Sequence, residues 1–302
     1  TEAIPAISEV RGFTAESSRI VAVAPELAAV TTEAARRERA AYLFAQVDAL
    51  TRRVTRYADT GNPAPAGLAQ AEADVRGSIE QLDRLVQDRI IATEAQTARL
   101  RAGLVATTEL LEIADTLVAN AQMGTAAAIS NLYDLEGTAP DTDTRLDTLD
   151  KLIEVDLFRQ GLMSEMRSHI GEVGLLLNRI VTAQNHAELA QLQTTLEGRI
   201  DIVTRRILAV NDPTRAERAL SLLQMIRPSS APPPDAEDLL NLTKGILDLN
   251  SLIAEAQGKV SAAAGRLDDD AQALADLIIA RAVEAGDEAT GAIRATQQLY
   301  AW

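Results

Sequence analysis

The chain contains no cysteine. That excludes disulfides, zinc thiolate sites and thiol nucleophiles, and it suits a periplasmic location without requiring one. Aromatic residues make up 3% of the sequence, too few for a core of ordinary mixed composition, whereas seams of Ala, Leu, Val and Ile between helices need none. His169 and His186 are the two imidazoles. Neither stands in an HExxH spacing, so no metal site is expected. No stretch approaches the roughly 18 uninterrupted apolar residues of a membrane-spanning helix. Positive charge is short as well: 29 Lys and Arg against 44 Asp and Glu give a formal net charge of −15, so no nucleic acid is expected as a partner.

Catalytic signatures are missing too. There is no P-loop, no GxGxxG following a strand, no GxSxG, and no carboxylate pair distinguishable from ordinary helix surface. The run Asp268-Asp269-Asp270 lacks the glycine and spaced glutamate of a calcium loop and reads as a solvated face. No catalytic residue and no cofactor is therefore expected.

What is present is helix-forming sequence with long apolar seams, and the fold class it predicts is all-α. From Asp235 onward Leu239, Leu242, Ile246, Leu249, Ile253, Ala256, Val260, Ala263 and Leu267 recur at steps of three and four, followed by Ala271, Leu274 and Ile278. This spacing holds one stripe on one helical face. The step of four from Leu267 to Ala271 follows another step of four, a stutter that relaxes supercoiling. The stretch ends in Tyr300, Ala301 and Trp302. Such an aromatic pair marks either a helix entering a bilayer or a hydrophobic cap. A start at Thr1 without methionine suggests a processed chain or a fragment boundary.

A second seam of similar length runs through Ile79, Leu82, Val86, Ile90, Leu100, Leu104, Leu111, Val118 and Leu132. The predicted architecture is thus elongated: two stacked four-helix bundles sharing two long helices, about 66–135 and 235–301, each about 100 Å long. A membrane-proximal bundle is assigned to 1–90 plus 268–302 and a membrane-distal one to 91–267, with the stutter near their junction. The shorter helices follow from local signals. Pro25 is expected to close helix one, Thr31 or Thr32 to cap helix two, and Gly61-Asn62-Pro63 to stop it. Asp141 or Thr142 caps helix four, which carries Leu146, Leu149, Ile153, Leu157, Leu162 and Met166 on its seam. Asn185 with Glu188 resembles a capping box, Asp212-Pro213 opens a short helix, and Ser229 to Pro234 is a stiff connector. A faint echo of Ser18-Arg19-Ile20-Val21 in Asn178-Arg179-Ile180-Val181 fits two modules.

Polar residues near the seams are the candidate ligand-binding set: Arg11 and Arg19 in helix one, Asn120 in helix three, Arg167, His169, Asn178 and Arg179 in helix four, and Asn250 in the last helix. Buried polar groups require partners, so an inward-facing layer would hold a small ligand or fix helix register. By rise along the helices, Asn120, Asn211 and Asn250 fall at similar heights. Cations in helix one would suit an anionic ligand.

The segment Ser17-Ser18-Arg19-Ile20-Val21-Ala22-Val23-Ala24-Pro25-Glu26-Leu27-Ala28-Ala29, followed by Thr31-Thr32-Glu33-Ala34-Ala35-Arg36, resembles the start of the periplasmic sensor region of TorS-type (trimethylamine N-oxide) sensor histidine kinases. Helical bimodular chemoreceptor domains share the plan. The resemblance implies a sensor domain between two membrane helices of an inner-membrane two-component kinase, a homodimer, and a cytoplasmic kinase elsewhere in the parent protein. In the TorS type the partner is a periplasmic binding protein. In the chemoreceptors a small organic anion binds directly inside a bundle. The alternatives are a chemoreceptor domain of that second kind and a soluble helical scaffold.

Overall fold

The computed structural model describes residues 3–59, 66–137, 142–210, 212–228 and 238–299. All regular structure among them is helical: α1 (Ala3–Ala29), α2 (Glu33–Asp59), α3 (Ala66–Gly137), α4 (Thr142–Lys151), a π-helical turn (Leu152–Leu157), α5 (Phe158–Val181), α6 (His186–Leu208), α7 (Pro213–Ile226) and α8 (Leu239–Leu299). Tyr300 to Trp302, the Gly61 and Pro140 breaks and the Ser229 to Pro234 connector lie outside the described residues.

Local signals set most of the boundaries. Thr32 caps α2 by accepting the Ala35 N–H at 3.4 Å, and Glu33 sits in the electropositive first turn. Asn185 caps α6 by accepting the Glu188 N–H at 2.9 Å, while the Glu188 carboxylate takes the N–H of Gln184 at 2.9 Å, one residue earlier than in the usual capping box. Asp212 accepts the Arg215 N–H at 3.1 Å ahead of Pro213, and Asp238 accepts the Asn241 N–H at 2.8 Å just before α8 starts at Leu239; the expected start at 235 lies outside the described residues.

Pro25 does not end helix one. The helix runs four residues past it, to Ala29. Proline removes the bond to the carbonyl four residues back, which belongs to Val21, and Val21 and Pro25 both lie on the exposed face. Water can satisfy that carbonyl, while Ala24, Leu27 and Ala28 on the opposite face are buried and hold the last turn in place.

The chain divides into two units, residues 1–91 with 248–302, and residues 92–247. In the first, α1, α2, the opening of α3 and most of α8 enclose one core, containing Phe13, Leu27, Leu43, Leu50, Ile79, Leu82, Val260 and Leu267. Residues 248–267 belong here and not with 92–247, where the seam alone would put them: Ile253, Ala256, Val260 and Ala263 pack in this core. Leu267 and Ala271, on either side of the stutter, are both fully buried in it. The change of phase is absorbed inside one core by small residues and marks no junction. In the second unit, α5, α6 and α7 pack on the later part of α3 through Leu110, Met166, Ile170, Val173, Leu192, Leu196, Val203 and Leu223. Gly103 and Gly174 permit close approach there, against Leu177 and Thr107 respectively.

Polar groups pin these helices at a few points. In the first unit, Glu16 is buried and accepts two bonds from Arg53 Nε at 3.0 and 2.9 Å. The guanidinium lies so close over Gly12 that any Cβ at this position would overlap it. Ser17 donates to the Ala264 carbonyl at 2.8 Å. Arg36, itself buried, bridges Glu33 at 2.7 Å and Asp83, and Arg89 donates to the Val30 carbonyl just past α1 at 2.6 Å. In the second unit, Gln96 donates to Thr243 at 2.8 Å with both side chains buried.

Two outcomes are expected. Gly12→Ala should destabilise the chain by about 1–2 kcal/mol in urea unfolding despite alanine's higher helix propensity, because it separates Arg53 from the buried Glu16 carboxylate. In an Arg53→Ala background the same substitution should stabilise by about 0.5–1 kcal/mol. The second concerns acid. Hydrogen bonding from Arg36 holds the Glu33 carboxyl down at about 2. With its folded pKa below the unfolded one, this group's contribution is complete above about 4.5 and is lost as the pH falls towards about 2. Glu33→Gln should therefore flatten the loss of stability across that window, as measured by unfolding at stepped pH.

Candidate functional site

The second unit departs from its own sequence pattern at one place. Leu146, Leu149, Ile153 and Leu157 carry the spacing of a core-facing seam, yet they are 52, 42, 53 and 47% exposed, and Phe158 beside them is 63% exposed. The inward side is taken by Thr148, Leu152, Asp156 and Gln160, of which only Leu152 is buried and the others are half-buried. These four residues are spaced by steps of four. In an α-helix such a step overshoots one turn, and the wider π-helical turn at 152–157 offsets the drift and keeps them on one side. The segment thus shows its apolar stripe to solvent and turns polar residues inward. The expectation that this stripe packs in the core is corrected. Its periodicity is sound, but the covered side is the other one.

The inward side borders a cleft of about 210 Å³ among α3, the π-helical turn, α5 and the connection from α6 to α7. Leu117, Ala121, Met163 and Val210 form apolar walls, and Asn120, Asp156, Arg159 and Asp212 supply polar groups. Asp212 is already engaged. It caps α7 and pairs with Arg215, and the Arg215 N–H bond holds its carboxyl below the usual carboxylate range.

Of the predicted ligand residues, the structure brings only Asn120 to this cleft, at its exposed rim. Arg167, Asn178, Arg179 and Asn250 are exposed, which corrects the expectation that they face inward, and Arg19 of α1 is exposed as well. The reason is phase: each lies beside its seam rather than on it, next to Ile20, Met166, Leu177, Ile180 and Leu249. Arg167 pairs with Asp115, and Asn178 donates to the Gly174 carbonyl of its own helix at 2.9 Å. Asn120 and Asn250 belong to different units, so no layer joins them, and Asn211 lies outside the described residues. Arg11 falls within α1, and its side chain is likewise outside the described set.

His169 is the one member held largely inside. It stands 3.5 Å from both Glu165 and Glu172 on α5, with Arg199 of α6 at 3.5 Å from its ring. Arg199 binds Glu172 at 2.6 Å and Arg206 binds Glu165 at 2.9 Å. This is an ion network that ties α5 to α6 and uses its own charges. Asp156 and Arg159 were missed. A seam step of five from Leu157 to Leu162 was the available signal, because five is the hydrogen-bonding interval of a π-helix.

A second groove, about 440 Å³, runs between α3 and α7 along Ala98, Val105, Leu222 and Met225 and is bridged by Arg218 bonding Glu109 at 2.6 and 2.7 Å. No group of His, Asp and Glu among the described residues is arranged to hold a metal ion. No described helix is long and apolar enough to cross a membrane.

Residues 4–252 match the family model described as sensor protein TorS, sensor domain. No curated protein sequence matches the chain. Among solved structures, the TorS sensor domain in a crystal complex with TorT in the presence of TMAO is similar at 22% identity, with a TM-score of 0.79 over 90% of this chain and 98% of that one. The sensor domain of the histidine kinase sensor TorS from V. parahaemolyticus is similar at 19% identity, with a TM-score of 0.62 over 90% of this chain and 99% of that one. With more than half of its length matched by that family model, the chain belongs to the TorS sensor-domain family.

Proposed function

We propose that this chain is the periplasmic input domain of an inner-membrane sensor histidine kinase and that it receives its signal by docking a periplasmic binding protein. Family membership carries the sensor role. The partner class is supported by the similar sensor domain that crystallises with TorT. In this reading the parent protein is a homodimer with membrane helices flanking the sensor, and its cytoplasmic kinase phosphorylates its own histidine with ATP. The sensor region carries no chemistry itself. It changes the kinase by stabilising one packing of its helices over another, which a partner can do only by binding the two packings unequally.

The outward apolar stripe is the docking face in this proposal. Leu146, Leu149, Ile153, Leu157 and Phe158 are large side chains exposed side by side, and a contiguous apolar patch of that kind on a soluble surface marks an interaction site. Acidic residues border it at Asp143, Asp147, Asp150 and Glu154, so the rim would favour a partner with basic groups around an apolar centre.

Ile153→Asp together with Phe158→Asp should weaken the complex with a purified TorT-type binding protein at least tenfold in calorimetry, with unchanged circular dichroism. If the variant binds normally, or if it instead converts a dimer of this chain to monomer in sedimentation, the stripe is not the docking face for a binding protein.

A further inference from the structure

The cleft beneath the stripe has a chemistry that docking does not use. Asp156 is half-buried and Arg159, exposed, lines the same space, yet among the described residues neither forms an ion pair or a side-chain hydrogen bond. They are three residues apart, a spacing at which opposite charges on an α-helix are neighbours. Across the end of the π-helical turn no such pair closes between them. A charge partly withdrawn from water, as that of Asp156 is, is unfavourable without a partner. Here two of opposite sign border one cavity, with the Asn120 carboxamide as a further donor and acceptor.

The remaining surroundings add polarity of known sign. The C-terminal end of α6 reaches the cleft at Ala209 and Val210, and a helix C-terminus carries partial negative charge. Asp212 is neutralised by Arg215 and by its capping bond. Asp156 therefore favours a cation and Arg159 an anion, and Leu117, Met163 and Val210, which line the same cleft, offer contact for a short apolar body. At about 210 Å³ the space admits a molecule the size of an amino acid.

We propose that this cleft is a binding site for a small zwitterion, with its cationic group on Asp156 and its anionic group on Arg159. The site belongs to this chain alone and is separate from docking of a binding protein. Its test leaves the partner out, so a failure here does not touch the docking face, and failed docking does not touch the cleft.

The probes are L-alanine, L-valine, β-alanine and γ-aminobutyrate, which vary the charge separation, with isobutylamine and isobutyrate as single-charge controls. Calorimetry and thermal shift on the whole 302-residue chain should show that at least one of the four amino acids binds at least tenfold more tightly than either control. Asp156→Asn and Arg159→Gln should each weaken that binding at least tenfold. Gly124→Leu should abolish it, because Gly124 lines the cleft and a Cβ there meets only open space, so the larger side chain fills the site without disturbing the helix. If a charge variant fails to fold by circular dichroism, Gly124→Leu decides the matter. Absence of binding by all four amino acids, equal binding by a control, or binding that survives Gly124→Leu overturns the proposal.

Discussion

A helix can bury only the stripe that its periodicity aligns, and this chain has few other means of holding itself together. It has no disulfide, and its aromatic content is 3%, so each unit relies on aliphatic side chains removed from water at about 25 cal/mol per Å². In α1, α2, α5, α6 and α7 the apolar stripe faces the core, and the two cores are close to continuous runs of Leu, Ile, Val and Ala. The stretch from α4 through the π-helical turn is the exception. There the same kind of stripe faces solvent, and forgoing burial of four large aliphatic side chains gives up several kcal/mol in total at about 1.5–3 kcal/mol each. A loss of that size points to a partner that recovers it.

Polar contacts set register rather than supplying the bulk of stability. Arg36 joins Glu33 and Asp83, Arg89 and Arg99 hold carbonyls at helix ends, and Arg218 spans to Glu109 on α3. Each such contact fixes how far one helix can slide along another. The buried ones, at Glu16, Ser17 and Gln96, are the costly ones to break, since an orphaned buried polar group forfeits its full desolvation penalty. A sensor needs such stops, because a partner can select between packings only if the packings are discrete.

The all-helical class, both long helices and the caps at Thr32, Asn185 and Asp212 were legible because each depends on residues within a turn of one another. What depends on distant packing was not. Pro25 reads as a stop until the exposed side of α1 is known to receive the freed Val21 carbonyl. The seam of α8 runs unbroken from Leu242 to Ile278, and nothing in its period says that residues from 248 onward belong with α1 and α2. Periodicity likewise cannot say which side of α4 is covered. Asp156 and Arg159 look like ordinary helix surface until the fold brings Asn120 and Val210 to the same cleft. The polar residues singled out along the seams failed as a layer for a simple reason: a residue next to a seam residue points about 100° away from it.

If the outward stripe on α4 and the π-helical turn is where the chain meets its partner, forming the complex must cover it. Hydrogen exchange of the chain with and without a TorT-type binding protein measures that cover residue by residue. Slowed exchange on complex formation is expected to concentrate in residues 142–160, including the π-helical turn. Protection confined to the first unit, with 142–160 unchanged at saturating partner, would contradict it.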